Sequence, residues 1–309
     1  MSGSLAAKML MGFAIGDALG VPVEFYSRKA LLAEPLTDFR ERGAHRTALG
    51  EWSDDTAMTV ATMESIIHCK AVDYEDIMRN FCEWAFSNEF SASGKSFGFG
   101  RTCLLAIGRY KRGVATATEC GGTRARENGN GSLMRMLPGI LYCYYRDLGE
   151  QDTKAIIDSL SSLTHRHEIC RLGCWIYTRF LLSVIRTQNM EQAYHEVQCS
   201  DYSAFSEESI QVYQRILSGE LPALPEERIS SSGYVVDSLE ASMWSVLNSD
   251  SFSSAVLRAI NLGGDTDTIG ALTGSIAGAI YEIPQAYTDR VMRSDYLEDL
   301  ANKFASTLV

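Results

Sequence analysis

Residues 261–279 read NLGGDTDTIGALTGSIAGA, and residues 9–20 read MLMGFAIGDALG. In the first stretch Gly270, Gly274 and Gly278 stand four apart, and in the second Gly12, Gly16 and Gly20 do the same. Residues four apart share one face of a helix. A glycine costs about 1 kcal/mol against alanine inside a helix, so six of them at this spacing need a compensating gain. A face without side chains lets another backbone approach closely, and the pattern predicts two central helices packed tightly in a core. The same stripe would suggest dimerisation in a membrane. However, the apolar run of the N-terminal stretch is interrupted by Asp17 and reads as too short to span a bilayer.

Helical periodicity continues outward from these two segments. Leu5, Met9, Leu10, Phe13 and Ala14 recur at spacings of three and four, and Ile77, Phe81, Trp84 and Ala85 repeat the pattern within 74–86. Further helices are expected near 53–69, 97–110, 131–146, 151–163, 168–187, 237–248, 252–261, 267–281 and 294–307. Strand alternation is confined to Tyr234-Val235-Val236. The expectation is an all-α chain forming a single domain over 1–309, with 46% hydrophobic residues to fill its core and 6 prolines to interrupt it.

Charge and cysteine usage exclude several classes of function. A net charge of −11 opposes a sequence-independent grip on nucleic acid, which needs a positive surface. Lys111, Arg112, Arg124 and Arg126 read as a solvated face. The 8 cysteines contain no C-x-x-C pair and mostly fall in apolar helical stretches, as small buried hydrophobes do. A disulfide framework and a zinc site are poor readings, and a cytoplasmic monomer without membrane attachment is the expectation.

Three segments concentrate acids at helix ends. Asp17 and Glu24 fall in 16–25, Asp54 and Asp55 follow Ser53 ahead of an apolar helix, and Asp265 and Asp267 follow Gly263-Gly264 and open the glycine-striped helix. Capping is the plain alternative, since acids in a first turn gain about 0.3–1 kcal/mol from the helix dipole. One cap needs one side chain, however, and each segment offers two carboxylates and nearby hydroxyls. If Glu24, Asp54, Asp55, Asp265 and Asp267 converge, five negative charges require cations to stay ionised. All-oxygen ligation suits Mg²⁺ or Mn²⁺ over zinc, and two divalent ions would leave a net charge of about −1.

The motifs GDALGVPVEF (16–25), WSDDTAMTV (52–60), NGNGSLMRMLP (128–138), THRHE (164–168), SGYVVDSLEASMW (232–244) and NLGGDTDTIGALTGSIAGA (261–279) together resemble the ADP-ribosylglycohydrolase family. That family includes the bacterial dinitrogenase-reductase-activating glycohydrolase, and the resemblance runs from about residue 5 to 281. It implies an orthogonal multi-helix bundle around a cleft for two Mg²⁺ or Mn²⁺ ions. Ser53, Asp54 and Asp55 would ligate one ion, Asp265, Asp267 and Thr268 the other, with Asp267 bridging. Glu24, Asp54, Asp55 and Asp267 would carry the catalysis. Glu24 would be the mobile acid that reaches the scissile bond. Asn130, Gly131, Ser132 and Met134 resemble the loop that holds the diphosphate and proximal sugar, with backbone N–H groups of Gly129 to Ser132 as donors. His165 matches the histidine that reaches toward ADP-ribose.

The implied reaction is hydrolysis at the anomeric carbon of the distal ribose, with ADP-ribose and an ADP-ribosylated protein as partners. Three departures from the pattern stand out. Ser53 replaces the threonine of most relatives and keeps the hydroxyl. Glu282 stands where relatives often have glycine. Ser96 and Phe97 occupy the place where some arginine-directed relatives carry an acid. Arginine is favoured over serine as acceptor from the bacterial members. The alternatives are hydrolysis of O-acetyl-ADP-ribose, a non-catalytic ADP-ribose-binding or structural member of the fold, and a two-metal phosphoesterase.

Overall fold

In a computed structural model that describes residues 4–309, the chain is helical, and the described residues form isolated β-bridges but no sheet. In chain order the helices are α1 (Leu5–Gly20), α2 (Arg28–Ala33), α3 (Asp54–Cys69), α4 (Tyr74–Ser87), α5 (Arg101–Lys111), α6 (Leu137–Tyr145), α7 (Glu150–Ser162) and α8 (Glu168–Thr187). The second half adds α9 (Met190–Gln198), α10 (Glu207–Val212), α11 (Gln214–Leu217), α12 (Val235–Leu247), α13 (Phe252–Asn261), α14 (Thr266–Ile280), α15 (Gln285–Thr288) and α16 (Ser294–Leu308).

The glycine stripes of α1 and α14 face each other. A β-carbon placed on Gly16 would sit 1.9 Å from the Gly270 carbonyl oxygen, one on Gly12 would sit 2.3 Å from that of Gly274, and one on Gly20 2.3 Å from that of Thr266. The pairs 12/274, 16/270 and 20/266 advance in opposite directions, so the two helices run antiparallel with their backbones in contact. Helices α12 and α13 flank α14, α16 flanks α1, and α3 packs between α16 and α4.

Segment Leu5–Val23 is 19 residues long with mean hydropathy 1.3, so by length and composition it could cross a membrane. This corrects the expectation that it is too short. Its apolar character is used internally, since 94% of it is buried against its neighbours.

Other differences from the expected elements have local causes. Tyr234-Val235-Val236 is not a strand: Tyr234 forms one antiparallel bridge with Gly129, and Val235 then opens α12. The stretch expected to be helical from 131 is a short 3₁₀ turn, Leu133–Arg135, before α6 starts at Leu137. Pro138 lacks an N–H and fits only a first helical turn. Helix α5 begins at Arg101 instead of 97, because Gly98 takes φ +78° in the loop before it. Helix α9 lies outside the expected helices, although Met190, Ala193, Tyr194 and Val197 form its buried face at helical spacing.

Candidate active site

The segment that follows α1 and the N-terminal ends of α3 and α14 meet at one cleft of about 410 Å³, which is the size of a small-molecule site. The glycine seam brings the first of these meetings about, since a β-carbon on Gly20 would lie 2.5 Å from the Asp267 backbone. Beyond α1 the chain turns at Pro22, and Glu24 leaves the turn toward α14. Backbone bonds from Phe25 N to Gly264 O (2.7 Å) and from Gly264 N to Tyr26 O (2.9 Å) staple that segment to the Gly-Gly turn. Glu24, Asp265 and Asp267 thereby offer oxygens within 4.8 Å of one another.

The other acids arrive on α3. Ser53 caps this helix, its hydroxyl accepting from Asp55 N at 3.3 Å and donating to Asp55 Oδ2 at 3.1 Å. Asp17, fully buried on α1, clasps the same turn. It accepts from Ser53 N (3.0 Å), Thr56 N (3.0 Å) and Thr56 Oγ1 (2.6 Å). Asp17 therefore acts as a bracket behind the site, and Asp54 and Asp55 project into the cleft with Asp265, Asp267 and Thr268.

The electrostatics follow from burial and proximity. Burial first, then Asp17, Glu24 and Asp265, raise the Asp54 carboxyl well above the usual range. Asp55 and Asp267 are raised well above it too, again by burial and then by neighbouring acids. Asp265 is pushed up to about 6, burial outweighing the hydrogen bond from Asn130. Asp55 Oδ1 is buried without any hydrogen-bond partner. An all-oxygen donor set with an orphaned buried carboxylate oxygen fits hard divalent cations, and these residues could hold them.

A second wall is built from Gly129, Asn130, Gly131 and Met134 of one loop and from His165. Asn130 Nδ2 donates both to Asp265 Oδ2 and to Ser238 Oγ on α12, tying the two walls together. Gly131 and Met134 line the cleft, and Gly131 has no room for a side chain, because a β-carbon would meet Cys103 Sγ at 2.6 Å and His165 Cε1 at 2.8 Å. His165 lines the cleft as well.

One implied side chain lies elsewhere, one stands beside the cleft without lining it, and one donor is spent. Ser132 is fully buried behind the loop, its hydroxyl meeting Ser161 Oγ at 3.0 Å and Cys174 Sγ at 3.5 Å, so its side chain does not reach the cleft. Ser53 is used as a cap and does not line the cleft. Of the four backbone donors expected at 129–132, that of Asn130 is taken by Gly233 O at 3.0 Å.

Three residues with no assigned role in the sequence complete the site. Asp17 lies in a quoted motif, but only the fold shows what it holds. His45 pairs with Glu24 Oε2 through Nε2, and its ring packs between Phe25 and Phe97 at centroid distances of 6.3 and 5.3 Å. The Glu24 bond raises the His45 pKa above its ordinary value, against burial. Arg135, also within a quoted motif, lies fully buried beneath the loop.

Several known proteins are similar to this chain. The chain is 34% identical over 301 residues to the ADP-ribosylarginine hydrolase Tri1 of Serratia proteamaculans, covering 95% of this chain and 77% of that protein. It is 29% identical to the ADP-ribosyl-[dinitrogen reductase] glycohydrolase of Rhodospirillum rubrum, over 91% of this chain and 88% of the relative. A solved structure described as an ADP-ribosylglycohydrolase-related protein complex superposes with a TM-score of 0.82 at 24% identity, over 99% of this chain and 98% of the other. The sequence model of the ADP-ribosylglycohydrolase family matches residues 4–308, and the chain belongs to that family.

Proposed function

We propose that the protein hydrolyses the N-glycosidic bond between ADP-ribose and an arginine side chain of a modified protein, with two Mg²⁺ or Mn²⁺ ions bound in the cleft. The observation that carries this reading is the convergence of Glu24, Asp54, Asp55, Asp265 and Asp267 on one wall of a small-molecule cleft. Divalent ions, when bound, supply Lewis acidity and neutralise the acids. Asp54 and Asp55 from α3 and Asp265, Asp267 and Thr268 from α14 would hold them.

The remaining chemistry belongs to the chain's own groups. The transition state carries positive charge on the ribose, and a wall of carboxylates favours that charge. Glu24 stands at the edge of this wall with a proton-bearing partner, His45, on its Oε2. A carboxyl so placed can move a proton to or from the scissile bond. Ser96 does not supply an acid at the acceptor side; its hydroxyl donates to Trp84 O at 2.8 Å, and Phe97 faces His45. Arginine remains the favoured acceptor because the 34% identical relative is an ADP-ribosylarginine hydrolase. The non-catalytic alternative is disfavoured by these five converging acids, four of them buried, whose mutual repulsion has no use in a purely structural protein.

The test is a panel of defined substrates: peptides ADP-ribosylated on arginine or on serine, and O-acetyl-ADP-ribose. Released ADP-ribose is measured by mass spectrometry with Mg²⁺, with Mn²⁺ and with chelator. Release from the arginine linkage alone, lost in chelator, is expected. Cleavage of only the serine linkage or only the ester would overturn the acceptor assignment, and full activity in chelator would overturn the metal assignment.

A further inference from the structure

Arg135 is a fully buried arginine with no carboxylate within ion-pairing distance among the described residues. Its Nε and Nη1 have no hydrogen-bond partner, and its guanidinium carbon lies 4.9 Å from the centre of the Phe81 ring. Burial lowers its pKa to about 10, which leaves it charged at neutral pH. Sequestering an unpaired cation is costly, and an apolar residue of similar size would fill the space at lower cost. The compensating role is visible in what Nη2 touches: it donates to Leu160 O at 3.1 Å and to Thr164 Oγ1 at 2.7 Å. Thr164 Oγ1 in turn lies 2.9 Å from His165 Nδ1.

We propose that Arg135 is a positioning residue, which acts through Thr164 to hold His165 as the neutral tautomer whose Nε2–H donates into the cleft, toward an anionic oxygen of a nucleotide-sugar diphosphate. The proton count supports the direction of the relay. A threonine hydroxyl has one hydrogen to give and two lone pairs to accept with. Oγ1 accepts from Arg135, so its own hydrogen is free for Nδ1. If Nδ1 carried the proton instead, two donors would point at Oγ1, and the hydroxyl hydrogen would have neither of these two groups to donate to. With Nδ1 accepting, the ring proton must sit on Nε2. That nitrogen is on the cleft wall, beside Gly129 and Gly131.

The ring stays neutral, since burial and the nearby Arg135 take the His165 pKa down to about 3. Its backbone is also fixed, with His165 N donating to Ser161 O at 2.8 Å and Ser161 Oγ donating to His165 O at 2.9 Å. The relay thus joins the 128–138 and 164–168 motifs into one device. Only the identity of the accepting oxygen rests on the ADP-ribose reading.

The experiment uses the full chain with isotope-labelled histidine and long-range proton–nitrogen correlation spectra, the His165 signals being those lost in His165→Asn. The expected wild-type spectrum shows Nε2 protonated and Nδ1 bare. Thr164→Val should lose this bias and weaken ADP-ribose binding about tenfold, as for one net hydrogen bond, and Thr164→Ser should restore both. A wild type protonated at Nδ1 would overturn the proposal. So would a Thr164→Val protein with unchanged spectrum and unchanged affinity. A wild type that holds the Nε2–H tautomer yet binds no ADP-ribose would support the relay and overturn the function it was read with.

Discussion

The seam between α1 and α14 and the acid wall at its end are built from the same two helices and have opposite energetics. Along the seam every close approach is satisfied, with backbone against backbone at Gly12, Gly16, Gly270 and Gly274 and the Thr266 hydroxyl donating to Gly20 O at 2.8 Å. At the wall, buried carboxyls crowd one another and Asp55 Oδ1 has no partner. Function concentrates where a fold tolerates unsatisfied groups, and the neighbouring structure must supply the stability. Here that supply is close at hand, since Gly20 ends the seam against Asp267.

The largest effect should follow from breaking the seam. Gly16→Ala places a methyl 1.9 Å from a backbone carbonyl oxygen that no rotamer can move. Although alanine gains about 1 kcal/mol in helix propensity, the net loss is expected to be about 3 kcal/mol or more. Gly149→Ala is the control, because a β-carbon there meets nothing within 4 Å, and only the loss of about 1 kcal/mol or less from alanine at the N-cap of α7 is expected. Denaturant melts that give the two variants equal stability would show that the stripe is not a packing device.

At the wall, stability and activity should move in opposite directions. Asp55→Asn and Asp267→Asn each remove a repelling buried charge, so the chelated proteins should melt above the wild type. Turnover should fall on the order of 100-fold or more. Glu24→Gln should lower kcat while keeping most of the ADP-ribose affinity, and an equal loss of both would make Glu24 a ligand without a role in proton transfer.

This contrast also explains what was legible in the sequence. The seam shows as a period of four in glycine, and the acids cluster in three short segments, so the central helices and Glu24, Asp54, Asp55, Asp265 and Asp267 can be picked out from the linear chain. Ser132 could not be placed correctly, since whether a serine faces a cleft or a core depends on Ser161 and Cys174, 29 and 42 residues away. Asp17, His45 and Arg135 escaped for the same reason: the partner that gives each its role, Thr56, Glu24 or Thr164, is distant in sequence. Val235-Val236 misled because β-branched residues suit a strand, yet burial at the start of α12 outweighs that preference. Helix α9 is different, since its apolar spacing was readable and its Asn189 cap accepts from Gln192 N at 2.9 Å.

A smaller effect separates the two regions by pH. Carboxyls whose folded pKa is raised bind protons preferentially in the fold, so the stability they lend is fully present below their unfolded pKa of 3.8. It is lost as pH rises through about 6 for Asp17 and Asp265, and at higher pH for the acids raised further. Each tenfold gain in a carboxyl's proton affinity on folding is worth about 1.4 kcal/mol. In chelator, the melting temperature should therefore fall between pH 5 and pH 8, on the order of 10 °C for several such acids together. Saturating Mg²⁺ should flatten the profile. A chelated protein equally stable at both pH values would mean that the acids do not repel one another in solution.

The smallest effect tests whether the two walls of the cleft act on one ligand. ADP-ribose carries a dianionic diphosphate, whereas the acid wall offers five carboxylates and the whole chain is at −11. Without cations those charges repel the ligand across a cleft of about 410 Å³, and the neutral His165 cannot offset them. With two divalent ions the wall falls to about −1, by the sum of five carboxylates and two dications, and the Nε2–H of His165 then has an oxygen to meet. A ligand that binds only the folded state adds about 2.7 kcal/mol at a hundredfold excess over its Kd. For a chain of this length that is a rise of about 5 °C. The measurement is a thermal melt with Mg²⁺ or Mn²⁺, with and without ADP-ribose, and in chelator. The rise should appear only with metal, and Thr164→Val should reduce it at fixed ligand concentration without changing the metal's own effect. An equal rise in chelator would show that the acid wall takes no part in holding the sugar, and the comparison between satisfied seam and cation-dependent wall would then stop short of the ligand.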